Sequence, residues 1–165
     1  MNTAATSLDP ALTGLAEFAG MQLRIAFSHL SKQGFSLTAL GTTMMAGWWN
    51  GTRYKTHVLQ TDDAAFVETM AMNWLVSDHK KSKFVGVVMN GNIAVEGKTH
   101  DALILRSRTA DQSIRMMAYA SYCSDSNKDE PWQTPIVDFP ADQAVPPDAR
   151  KAALEIMLRS LFGRN

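Results

Sequence analysis

Near the start of the chain, apolar residues recur at steps of three and four: Leu12, Leu15, Ala19, Leu23, Ala26, Phe27 and Leu30. That spacing gathers them on one face of a helix. Asp9 offers a side-chain oxygen to the free N–H groups of the first turn, and Pro10 sits where its missing N–H costs nothing. Gly34 supplies a left-handed stop. The pattern predicts a helix over 9–33.

From 35 to 59 the character changes to threonines and aromatics. Trp49-Asn50-Gly51-Thr52 predicts a hairpin, because Asn-Gly readily takes the positive φ angles of a type I′ turn. The returning strand alternates, with Thr52, Tyr54, Thr56 and Val58 on one side and Arg53, Lys55 and His57 on the other. Gly41 and Gly47 interrupt the outgoing strand and mark bulges or a break. Thr61 is expected to cap a second helix, with Asp62 and Asp63 in its first turn and Phe66, Val67, Met70, Ala71, Trp74 and Leu75 as its apolar stripe. Lys80, Lys81 and Lys83 suit its carboxyl end.

Over 84–123 the period drops to two. Short runs at 84–89, 93–95, 102–107 and 114–122 are separated by turn signals at Asn90-Gly91, Glu96-Gly97-Lys98 and 109–112, which predicts an antiparallel meander. The polar stretch 124–147 holds five of the six prolines and reads as a long surface connection, with a short extended piece at 136–139. Pro147 and Asp148 open a last helix. The order helix, hairpin, helix, meander, helix implies an α+β fold, an antiparallel sheet of about four to six strands packed with three helices. Residues 1–8 are expected to be a disordered tail and 9–165 a single domain. Leu23, Phe27, Phe66, Met70, Trp74 and Leu158, each on an apolar stripe, are the expected core.

Composition narrows the function classes. The chain has 165 residues, 45% apolar and 19% charged, a globular balance. Lys plus Arg equals Asp plus Glu, 16 each, and zero net charge argues against a protein that lives on phosphate contacts. It also removes the repulsion that keeps copies apart, so self-association is the expected partnership. Cys123 is the single cysteine, so no internal disulfide can form. No basic stretch followed by an apolar core opens the sequence, and the apolar stretch at 11–30 is broken by Glu17, Arg24 and His29. A soluble cytoplasmic chain with no membrane span is the expectation.

Candidate chemistry is sparse. His100-Asp101 has the look of a metal-binding or hydrolytic pair, yet it leads from a glycine turn into a strand, where a polar turn is the simpler account. His29, His57, His79 and His100 lie far apart in sequence with no ligand spacing, so no zinc site and no cofactor is expected. Cys123 would serve as a nucleophile only beside a base; a small buried hydrophobe is the simpler reading. Asp125, Asn127 and Asp129 begin like a calcium loop, but Glu130 stands where glycine is needed and Ile136 where a glutamate is. Lys80, Lys81, Lys83, Arg106, Arg108 and Arg115 would form a basic strip if the sheet gathered them, though no aromatic RNA-binding signature accompanies them. Trp48-Trp49 stands out most, since neighbouring strand residues face opposite ways and one indole is expected near the surface unless a second layer or a partner covers it. The sequence reading is a non-catalytic interaction module that self-associates, with Trp48, Trp49 and Arg53 as contact candidates. A small hydrolase using His100, Asp101 and Cys123 is the alternative, and nucleic-acid binding through the sheet a third.

Overall fold

Asp9 accepts a hydrogen bond from the Ala11 N–H at 2.8 Å, and the chain enters α1 (Pro10–Lys32). The computed structural model describes residues 8–33, 42–77, 81–122 and 135–163. Along them follow β1 (Thr42–Trp49), β2 (Tyr54–Thr61), α2 (Ala64–Val76), β3 (Phe84–Val95), β4 (Lys98–Thr109), β5 (Arg115–Tyr122), β6 (Ile136–Asp138) and α3 (Pro147–Leu161). The strands form one antiparallel sheet in the order β2-β1-β3-β4-β5-β6, so the fold is α+β. Cys123, His79 and the acidic run from Asp125 lie outside the described residues, as does the tail up to Ser7. Leu8 already packs against the core.

Side chains alternate across the strands, which gives the sheet two unlike faces. Met45, Val88, Leu103, Leu105 and Met116 join Leu15 and Leu23 of α1 and Met157 of α3 in the main core. Met44, Ala46 and Val87 point the other way, onto Val67 and Ala71 of α2. Two helices therefore cover one face, and one helix covers the other near β1.

The turns differ in place from their sequence signals. At Trp49↔Tyr54 the first hairpin closes over four residues, and of these only Gly51 has positive φ, 107°. Asn50 acts through its side chain, whose oxygen accepts from the N–H groups of Thr52 at 2.9 Å and Arg53 at 2.7 Å. It replaces the expected type I′ turn with a side-chain-braced loop. At Asn90-Gly91 there is no turn at all; β3 runs straight through. The carboxamide of Asn90 accepts from the Thr43 N–H at 2.8 Å. A Cβ on Gly91 would lie 2.9 Å from Ile104 Cδ1, the movable tip of a side chain, and its backbone is not in the left-handed region, so this glycine does no turning. The hairpin turns at Glu96-Gly97, with φ of 50° and 77°, the left-handed pair that a two-residue connection demands.

The β4–β5 turn is organised by Asp111. Its Oδ1 accepts from the Ser113 N–H at 3.0 Å and from the Thr109 and Ser113 hydroxyls, both at 2.7 Å. The Ser113 amide first, then the two hydroxyls, holds the carboxyl at about 2 against the usual 3.8. A depressed folded value means this turn's contribution is complete above the ordinary value and is lost as pH falls towards 2. A carbon-13 titration of the Asp111 carboxyl should show that low midpoint, and Asp111→Asn should abolish this part of the acid sensitivity. A midpoint near 4 in the folded protein would show that the three bonds do not persist in solution.

Candidate interaction surface

Asp63 caps α2, accepting from the Phe66 N–H at 3.1 Å, while the Thr61 hydroxyl accepts from the Asp63 N–H at 3.2 Å. The cap therefore falls two residues after the expected Thr61. At the other end a cation is present, as the helix dipole favours, but it comes from the sheet. Arg108 of β4 is buried and donates to the carbonyls of Leu75 and Ser77, the latter at 2.9 Å. It also donates to the carbonyls of Thr109 and Ala110, both at 3.1 Å. One guanidinium thus ties the end of α2 to the β4–β5 turn. Its fork geometry suits four acceptors at once.

The ridges of α2 can be placed from their contacts. Trp74 meets the His57 ring of β2 edge-on at 5.4 Å and donates from Nε1 to the Gly47 carbonyl of β1 at 3.4 Å. Phe66, Met70 and Trp74 follow one another at steps of four, so this ridge lies on the β2 side. Glu68 and Met72 both reach Arg106 of β4, at 4.0 and 3.9 Å, which places their ridge on the β4 side.

Only Val67 and Ala71 of α2 are fully buried. Phe66 is 49% exposed, Met70 38%, Met72 45% and Val76 64%. The expectation that Phe66 and Met70 belong to the core is therefore wrong, whereas Leu23 is fully buried and Phe27, Trp74 and Leu158 are half-buried. Phe66 and Met70 on the β2 side of α2 and Met72 and Val76 on its other flank together leave roughly 300–400 Å² of apolar surface open. Val58, 46% exposed, is on the opposite face of β2 and separate from this surface.

The two indoles behave as the alternation requires. Trp49 joins Phe84 and Tyr54 beside α1, with Phe18 stacked on Phe84 at 5.9 Å. Trp48 faces the α2 side, under the Lys55 ammonium at 5.7 Å from the ring centre. Both are half-buried, so neither is the main exposed apolar feature. Arg53 is exposed in the hairpin loop.

His100 and Asp101 are successive residues of β4 and point to opposite faces, so the strand does not bring them together. Asp101 lies across from Tyr122, whose hydroxyl is pushed up to about 12 by burial and then by the Asp101 charge. Among the described residues no three His, Cys, Asp or Glu side chains gather as metal ligands would. Two grooves on the α1–α3 side, of about 660 and 470 Å³, contain neither His100 nor Asp101; Trp49 lines the larger. Of the basic strip, Lys80 lies outside the described residues, Lys81 and Lys83 are exposed, and the three arginines are engaged. Arg106 pairs with Glu68, Arg108 is buried and Arg115 pairs with Asp142. Among the described residues no helix is long and apolar enough to cross a membrane.

Sequence spacing missed the α2 surface because it marks apolar residues and not which of them a single small layer can cover. Compared with family models, curated proteins and solved structures, the chain matches none.

Proposed function

We propose that this protein is a non-catalytic interaction module that works by pairing with a second copy of itself through the surface of α2. The observation that carries the reading is the exposure of Phe66, Met70, Met72 and Val76 on a helix docked by only two fully buried residues. Zero net charge sets up no long-range repulsion between copies. Covering roughly 350 Å² on each copy is worth on the order of 15 kcal/mol gross at about 25 cal/mol per Å². Association costs of about 4–15 kcal/mol offset much of it, which points to a reversible dimer.

Light scattering over a concentration series tests this directly. The wild type should reach twice the 18.2 kDa chain mass in the high micromolar range. Phe66→Ser or Met70→Gln should weaken the dimer about tenfold or more, as loss of a central apolar anchor does. Circular dichroism should stay unchanged, since both side chains are exposed. A wild type that remains monomeric at those concentrations would remove the reading.

A further inference from the structure

The dipeptide Asn-Gly occurs twice, at 50–51 and at 90–91, and the fold places the two copies differently. An asparagine followed by glycine is open to attack on its own side chain, because glycine has no Cβ to shield its backbone nitrogen. That nitrogen can bond to the asparagine Cγ and close a cyclic imide. In a folded chain the reaction is favoured by an accessible N–H and by donors and charge placed around the reacting atoms.

Asn50-Gly51 has all of these. Gly51 is exposed in the loop between β1 and β2, and among the described residues its N–H donates to no acceptor. Asn50 Oδ1 accepts from the N–H groups of Thr52 and Arg53 at 2.9 and 2.7 Å, and from the Thr52 hydroxyl at 3.0 Å. Donors gathered on a carbonyl oxygen polarise its carbon and stabilise the oxyanion that attack produces. Lys83 brings the charge. A Cβ on Gly51 would lie 3.3 Å from its Nζ, which puts the ammonium within about 6 Å of the Gly51 nitrogen. Asn90-Gly91 is placed otherwise, inside β3 and paired with Leu103 and Ala102 of β4. The Thr43 N–H of β1 holds the Asn90 carboxamide at 2.8 Å, and the atoms nearest a Cβ on Gly91 belong to the apolar Ile104.

We propose that Asn50-Gly51 is a self-modifying site: in the folded protein Asn50 converts, with no enzyme, to aspartate and isoaspartate, while Asn90 is preserved. Hydroxide takes the Gly51 N–H proton, and the nitrogen bonds to Cγ of Asn50. The bond from Cγ to Nδ2 breaks, and the amine leaves as ammonia with a proton from water. One water then opens the imide. Cleavage between Cγ and the Gly51 nitrogen leaves aspartate. Cleavage at the main-chain carbonyl leaves isoaspartate, whose backbone runs through the side-chain carbons. Asparagine and water become an acid and ammonia, with no oxidant or reductant. The product carboxylate lies beside Lys83 and Arg53, in a chain whose charges otherwise balance at 16 against 16. Aspartate keeps an oxygen for the three donors, whereas isoaspartate lengthens the loop and misplaces it.

Peptide mapping by mass spectrometry after incubation at mildly alkaline pH tests this, with the chain either folded or unfolded in guanidinium chloride. Trypsin separates the two sites, with Asn50 in the peptide 33–53 and Asn90 in 84–98. Folded, Asn50 should convert at least as fast as in the unfolded chain. Asn90 should be at least about tenfold slower folded than unfolded, since its strand must open first. Lys83→Met should slow Asn50 about threefold in the folded chain only, the size expected of one charge at that distance in water-like surroundings. Circular dichroism should stay unchanged, because Lys83 joins the fold through its backbone N–H and carbonyl. An Asn50 slower folded than unfolded, an Asn90 that keeps pace with it, or a folded rate that ignores Lys83→Met would overturn the proposal.

Discussion

Replacing Arg108 with alanine is expected to cost about 3–4 kcal/mol of unfolding free energy, because bonds from a charged donor are worth more than neutral ones and buried carbonyls left without donors cost about 1–3 kcal/mol each. Four carbonyls depend on this guanidinium: those of Leu75 and Ser77 at the end of α2, and those of Thr109 and Ala110 in the β4–β5 turn. Water can reach some of them after the substitution, so the full sum will not be lost. Arg108→Met separates packing from hydrogen bonding, since it keeps the apolar stem. Arg108→Lys should recover only part of the loss, because an ammonium cannot fork between two clusters. Urea unfolding at unchanged m-value measures the effect. Amide exchange should localise it, speeding up in α2 while α1 stays protected. A loss below about 1 kcal/mol would show that the four bonds contribute little in solution.

Leu23→Ala should cost as much by a different route, about 3–5 kcal/mol, from lost transfer energy and the cavity left behind. Leu23 is fully buried in the cluster that joins α1 to Val88, Leu103 and Leu105 of the sheet. Close packing on both sides limits how far the site can collapse. Thermal unfolding should fall by about 10 °C or more. The variant should dimerise as the wild type does at temperatures where it is folded, since α2 lies on the other face. A drop of only a few degrees would place Leu23 in a looser layer than its burial implies.

What could be read from the sequence follows from how much each segment discriminates between its faces. In α1 the apolar steps are separated by Glu17, Arg24 and Ser28, so the buried face is unambiguous, and the helix ends within a residue or two of its expected bounds. In α2 ten of the thirteen residues are apolar, counting Ala64, Ala65, Phe66, Val67, Met70, Ala71, Met72, Trp74, Leu75 and Val76. A stripe drawn through such a helix can be rotated by a third of a turn without penalty. The real one runs through Val67 and Ala71, small enough to sit close on the sheet, and leaves Phe66 and Met70 outside. Asn90-Gly91 misled for a related reason. The dipeptide permits a turn but does not require one, and alternation on either side of it continues unbroken into Val95. His100 and Asp101 look like a pair only along the chain; on a strand, adjacency means separation. The candidate surface was legible only as an excess of apolar residues, because its location depends on which of them the sheet leaves uncovered.

The long β3–β4 hairpin outreaches its neighbours. Among the described residues β1 stops pairing with β3 at Met89 and β5 begins pairing with β4 only at Asp101, so the segments from Ile93 to Val95 and from Lys98 to His100 pair just with each other. The ribbon ends in a turn whose glycine has nothing within 4 Å of where a Cβ would stand. Extra residues spliced between Glu96 and Gly97 would lengthen a free finger while leaving both cores and the α2 surface as they are, making this tip the natural place to carry an epitope, a tag or a small inserted domain.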